Sequence, residues 1–287
     1  MRRPKLMIDP AAPWAAKEVD VQGTGVMMRQ LAARHAMAPR ITPYRFPKQE
    51  TGDIAHGVRL GLNIMLVGPT GCGKTSLPTN LAGYLGRPLV RLNMNGETRV
   101  SHIIGQQRPT AQDGVLTLTF SLGAFAQAMK GGYWVVLDEI EAALPSVLFV
   151  LQPVLEEGNR TLHVPDTGEV IEAHPEFAIF ATGNTLGYRA AMRSRHAGTN
   201  VLNSALIDRF GMVIDCHYPS RGEEFERLKI QVPAPHAVRA STGDAAKDLS
   251  RLAGEQAAHN DALDGICRVA EELRKDCLLY TSPSPRD

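Results

Sequence analysis

Gly68-Pro69-Thr70-Gly71-Cys72-Gly73-Lys74-Thr75 is the stretch that governs the reading of this chain. The apolar run Ile64 to Val67 precedes it and a helical pattern, Lys74 to Leu85, follows, so it lies between a buried strand and a helix. In that setting G-x-x-x-x-G-K-[ST] reads as a phosphate-binding loop. Its glycines let the backbone curl until successive N–H groups face phosphate oxygens, and the helix N-terminus adds partial positive charge. All eight residues are candidate nucleotide contacts. Lys74 is expected to reach the β- and γ-phosphates and Thr75 to ligate Mg²⁺. Cys72 holds a variable loop position and reads as inert filler, while Pro78, early in the helix, is expected to kink it.

The next chemistry-bearing stretch is Trp134-Val-Val-Leu-Asp138-Glu139, an apolar run that ends in two carboxylates. Four apolar residues make a central strand, and the C-terminal end of such a strand faces the phosphate loop. Asp138 is then placed to hold Mg²⁺, and Glu139 to orient and activate the attacking water. This pairing favours hydrolysis over kinase chemistry. Ala181-Thr-Gly-Asn184 ends a further strand and would bring a polar amide to the same γ-phosphate. Asp208-Arg209-Phe210 offers an arginine that could reach a neighbouring subunit's nucleotide or, alternatively, pair with Asp208 on the surface.

Short apolar runs alternate with helical patterns from Ile54 onward, which is the text of a parallel α/β sheet. Five strands are expected, at Ile64–Val67, Leu89–Asn93, Tyr133–Asp138, Phe177–Thr182 and Met212–Cys216, with helices at Leu122–Lys130, Pro145–Glu157 and Ser204–Phe210. Val115 to Phe120, after Asp113-Gly114, and Thr161–Val164 with Val170–Glu172 read as hairpin insertions. Residues 1–43 read as an N-terminal arm or partial domain with a helix-like stretch at Val26–Met37. Residues 44–219 read as the α/β core and 220–276 as a helical lid, with helices at Arg221–Ile230, Asp244–Ala257 and Ala262–Asp276.

Composition narrows the class. Lys plus Arg number 31 against 30 Asp plus Glu, for a net charge of +1, with 44% hydrophobic residues. That is a globular balance, without the net positive field of a nucleic-acid binder. No apolar run approaches the roughly 18 residues of a membrane helix, and a cytoplasmic location is expected. The four cysteines lack Cys-x-x-Cys spacing, and His102, His163 and His174 lie on elements that are not expected to converge, so no zinc site is suggested. Trp14 and Trp134 read as packing residues.

Taken in order, the phosphate loop, the Asp-Glu strand, the hairpin, the Asn-ending strand, Asp-Arg-Phe and the helical lid resemble an AAA+ ATPase. The resemblance implies an αβα sandwich on a five-stranded parallel sheet. The hairpin before the Asn strand resembles the pre-sensor-1 clade, and the Gln106–Phe120 insert resembles the helix-2 insert of MoxR-like members. Within that group the chain resembles the cobaltochelatase AAA+ subunit CobS, through Tyr44-Arg-Phe46, Val147 to Gln152, Val154-Leu-Glu156, Phe180 to Gly187, His196 to Thr199, Leu202-Asn203 and Asp208-Arg209.

That resemblance makes Asn184 a sensor-1 residue and Arg209 a trans-acting finger, and it implies a homo-oligomeric ring, a hexamer. It also implies a von Willebrand A-domain partner, a chelatase large subunit, and ATP-driven cobalt insertion in which the chelation residues lie on the partners. A MoxR-like chaperone, a phage CobS-like ATPase of another client, or a nucleotide-gated scaffold are the alternatives. Arg189, Arg193 and Arg195 make the loop Gly187–Thr199 more basic than the resemblance to CobS leads one to expect, and read either as a solvated loop or as an inter-subunit or partner surface.

Cys277 to Asp287 match the in-frame translation of a transposase adapter used in library preparation, so this segment is read as foreign and the natural chain as cut near Asp276. On that reading Ser284-Pro285-Arg286 is not the family's sensor-2 motif, the lid is truncated, and ATP turnover is expected to be weak.

Overall fold

The computed structural model describes residues 14–112, 115–156, 158, 160–184, 204–232 and 245–279. The loop Gly187–Thr199 and its arginines, Leu202-Asn203 and the Ser284–Arg286 motif lie outside the described residues. The described residues fall into two compact units, one holding those up to 42 with those of 46–217, the other 43–45 with those from 218 onward.

The first unit is built on a five-stranded parallel sheet of β3 (Ile64–Val67), β4 (Leu89–Asn93), β7 (Trp134–Asp138), β10 (Ala178–Gly183) and β11 (Met212–Asp215), in the order β11-β3-β10-β7-β4. The uninterrupted apolar runs occupy the inner positions, since β3, β7 and β10 are buried along their whole length. The outer strands β4 and β11 alternate instead, as strands with one partner do. Helices α2 (Ser76–Tyr84), α4 (Ala124–Gly131) and α5 (Pro145–Leu155) connect or flank these strands. Phe125, Ala126, Ala128 and Met129 of α4 and Val147, Leu151 and Val154 of α5 bury one stripe each against Val135, Leu137, Ile179 and Ala181 of the sheet. This is the expected α/β sandwich.

Both expected hairpins form. β5 (Gly105–Gln112) pairs with β6 (Val115–Leu122), and β8 (Thr161–Val164) pairs with β9 (Glu169–Glu172). The short helices α3 (Val100–Ile103) and α6 (Ser204–Ile207) precede β5 and β11. Trp134 is fully buried, beneath the Arg87 guanidinium and against Phe180.

Several expectations need correction. Val26–Met37 is not helical: β1 (Ala16–Asp20) and β2 (Met27–Leu31) form an antiparallel hairpin in the same compact unit as the sheet. Beyond the pairing of its own strands, Leu31 N–H reaches Leu85 O and, just after the hairpin, His35 N–H reaches Gly86 O, and these tertiary bonds override local propensity. Helix α1 (Lys48–Leu60) went unread, although Pro47 opens it and Gly61 closes it in the left-handed region. Helix α2 runs continuously through Pro78, its third residue, where a missing N–H is least felt.

The second unit pairs α7 (Arg221–Gln231) with a single α8 (Ala245–Leu279) in place of the two expected helices. Ala258-His-Asn-Asp261 holds no Gly or Pro to interrupt it. Ser220 caps α7 reciprocally with Glu223, and Arg274 forks onto Glu224 at 2.9 and 2.6 Å. No helix among the described residues is long and apolar enough to cross a membrane.

Candidate nucleotide site

The carboxyl ends of β3, β7 and β10 meet at one edge of the sheet, where open α/β sheets bind ligands. A cleft of about 420 Å³ opens there, lined by Thr70, Gly71, Gly73, Lys74, Thr75, Asp138, Glu139 and Asn184, together with Arg91. The loop after β3 therefore lies against the end of β7, as its sequence suggested. Gly71 and Gly73 adopt φ of 83° and 102°, which other residues rarely take, so the curl depends on them.

Lys74 is turned inward. Its ammonium donates to Gly68 O at 2.7 Å, Pro69 O at 2.8 Å and Asn184 Oδ1 at 3.0 Å. All three of its protons have acceptors, two of them loop carbonyls that an incoming phosphate would replace. Thr70 Oγ1 also donates to Asn184 Oδ1, at 3.4 Å. The Asn-ending strand and the phosphate loop are thus in direct contact.

Asp138 is the most heavily bonded group of the site. Its Oδ1 accepts from Thr75 Oγ1 at 2.6 Å and from Thr182 Oγ1 at 2.5 Å, and its Oδ2 accepts from Arg91 Nε at 2.9 Å and from Arg91 Nη2. Burial alone would raise this carboxyl. The hydroxyls of Thr182 and Thr75 and the Arg91 guanidinium outweigh burial and hold it below the usual carboxylate range. Asp138 and Thr75 form a donor set of hard oxygens suited to Mg²⁺, and a cationic group already rests on the carboxylate.

Glu139 differs from its neighbour. Its backbone lies in the left-handed region at φ 56°, ψ 51°, a costly conformation for a non-glycine residue that concentrates at functional sites. Its N–H is held by Thr182 Oγ1 at 3.0 Å, and the residue lines the cleft. One hydroxyl, Thr182, therefore ties both carboxylate-bearing residues to the end of β10.

Residues 63–210 match the AAA domain (dynein-related subfamily). The chain belongs to that family. It is 31% identical over 198 residues to the aerobic cobaltochelatase subunit CobS of Sinorhizobium sp, covering 69% of this chain and 59% of that protein. It is 36% identical over 160 residues to midasin of Giardia intestinalis, covering 56% of this chain and 3% of that protein. It is 34% identical over 166 residues to the uncharacterized protein YojN of Bacillus subtilis (strain 168), covering 58% and 51%. The chain spans less than two thirds of each of these relatives. It is thus an AAA-family chain with similarity to CobS over its core.

Not every expected site residue of this AAA domain lines the cleft: Gly68, Pro69, Cys72 and Arg209 do not. Cys72 is buried behind the loop, hydrogen-bonded to Cys216, which pulls its thiol down to about 6 against the opposing effect of burial. The same contact and burial push the Cys216 thiol up. Arg209 lies at the far end of the sheet. Its carbonyl accepts from Asn63 Nδ2, just ahead of β3, and its guanidinium is 3.4 Å from Glu156 rather than on Asp208. It is a strand length from its own phosphate loop.

Arg91, Thr182 and Glu141 escaped sequence reasoning. A charged residue inside Leu89-Val-Arg-Leu-Asn93 was a visible signal for Arg91, and Thr182 lies one residue inside the quoted Ala181–Asn184 phrase. Glu141 had no signal beyond following an acidic pair.

Proposed function

We propose that this chain binds ATP in the cleft at the end of β3, β7 and β10 and hydrolyses it. The observation that carries the reading is the convergence of Lys74, Thr75, Asp138, Glu139 and Asn184 on one cleft from three separate strand ends. Backbone N–H groups of Gly71, Gly73, Lys74 and Thr75 cradle the phosphates, and Lys74 moves from the loop carbonyls to the β- and γ-phosphates. Thr75 and Asp138 are the residues that would hold Mg²⁺, which would supply charge neutralisation on the phosphate oxygens. Glu139 orients the attacking water and accepts its proton, and Asn184 donates to the γ-phosphate. Arg209, distant from its own cleft, serves as a finger in the site of an adjacent subunit, so the active form is a homo-oligomeric ring, a hexamer.

The ring couples hydrolysis to remodelling of a partner protein. Identity to CobS over 198 residues supports a chelatase-type role, with a von Willebrand A-domain partner and cobalt as the cargo of a large subunit. Stimulation of ATP turnover by such partners, and not by unrelated proteins, would support that client. A MoxR-like chaperone acting on a different von Willebrand A protein is the other outcome.

The mechanism is tested by Glu139→Gln. Nucleotide binding persists, while ATP consumption falls on the order of 10² to 10⁴-fold, the usual range for losing a general base. Unchanged consumption would remove Glu139 from the mechanism.

A further inference from the structure

Glu141 sits on the single 3₁₀ turn Ile140–Ala142 that follows Asp138-Glu139, and only 3% of it is exposed. Its Oε1 accepts the backbone N–H of Asn184 at 2.7 Å. Its Oε2 is buried without a hydrogen-bond partner among the described residues. A carboxylate in that state is a costly choice for filling space, since an apolar side chain would do the same without an unpaired oxygen.

The neighbourhood is shaped around this carboxylate. A Cβ on Gly183 would stand 3.0 Å from Oε2 and 3.1 Å from Met65 Cε, so the glycine before Asn184 leaves room for the acid. Glu141 does not line the cleft, and therefore acts through Asn184 rather than on substrate. The Asn184 side chain in turn touches Lys74 and Thr70.

We propose that Glu141 is a positioning residue that clamps the Asn184 backbone, so that the Asn184 amide stays at the γ-phosphate end of the cleft. The clamp links the turn carrying Glu139 to the tip of β10, so that occupancy of the γ-phosphate position is felt on both strands. This rests on the reading of Asn184 as the γ-phosphate donor. Its signature is discrimination between triphosphate and diphosphate, not nucleotide affinity as such.

The test uses the full chain and fluorescent analogues of ATPγS and ADP, titrated against wild type, Glu141→Ala, Glu141→Gln, Asn184→Ala and the Glu141→Ala/Asn184→Ala double variant. Glu141→Ala is expected to lose about tenfold of the preference for ATPγS over ADP, the worth of one charge-assisted hydrogen bond, with ADP affinity within about twofold. Glu141→Gln retains the preference within about threefold, because its amide oxygen still accepts from the Asn184 N–H. The double variant is no worse than Asn184→Ala alone, as expected for two residues on one path. An unchanged preference in Glu141→Ala, equal loss in Glu141→Gln, additive losses, or a parallel loss of ADP binding would each overturn the clamp. If wild type shows no preference for ATPγS and Lys74→Ala binds nucleotide like wild type, the nucleotide-site reading itself fails, and the clamp with it.

Discussion

Thr182→Val probes how the site is held together, because valine keeps the shape of threonine and removes only the hydroxyl. That hydroxyl donates to Asp138 Oδ1 at 2.5 Å and accepts the Glu139 N–H at 3.0 Å, at a residue 1% exposed. Losing a bond to a buried charge costs about 1.5–3 kcal/mol, and leaving the Glu139 N–H unpaired adds about 1–3 kcal/mol. Allowing for non-additivity at one side chain, the variant is expected to lose about 3 kcal/mol of stability. Arg91→Ala is the internal comparison, since it removes two bonds to the same carboxylate from an arginine whose side chain is 56% exposed. Solvent screening and side-chain entropy limit that pair to about 0–1 kcal/mol. Urea unfolding of both variants alongside wild type, read as midpoint shifts at constant slope, gives the two costs directly. Equal losses, or a Thr182→Val loss below about 1 kcal/mol, would refute the reasoning that burial rather than bond count sets the worth of the contacts to Asp138.

The remaining predictions concern charge. Arg87→Met strands Glu176 beside the more exposed Arg29, and is expected to cost about 3–5 kcal/mol by urea unfolding, with Arg29→Ala costing less. Burial raises the Glu141 carboxyl above its ordinary 4.5, so the folded chain binds the proton more tightly and stability falls as pH rises from there through the raised value. Glu141→Gln removes that penalty, so its melting temperature should exceed wild type near pH 8 and lose the advantage near pH 4; the same difference at both would contradict it. Iodoacetamide labelling of Cys72 should titrate with a midpoint of about 6, and Cys216→Ala, by removing the bonded thiol, should move that midpoint upward. An unmoved midpoint would show that the two thiols are not coupled.

The sheet was legible because its inner strands open as continuous apolar runs, 64–67, 134–137 and 178–181, as burial on both faces favours. The hairpin at β1–β2 was not, because it is anchored by bonds from residues at and just after its end, Leu31 and His35, to Leu85 and Gly86 far along the chain. Two expected helices fused into α8 for want of a breaker, and α1 was overlooked despite the proline and glycine that bound it.

The phosphate loop and the Asp138-Glu139 pair could be read from residues alone, because each needs particular side chains at a fixed local spacing: glycines for the curl, a lysine and a hydroxyl one after the other, and two acids at the end of an apolar strand. Which groups hold those residues was a matter of tertiary structure. Thr182 bridging both acids, Arg91 resting on Asp138 and Glu141 clamping Asn184 all arise where the ends of β4, β7 and β10 come together. Strand order sets those contacts, and strand order is decided by how the whole sheet packs rather than by any local pattern along the chain.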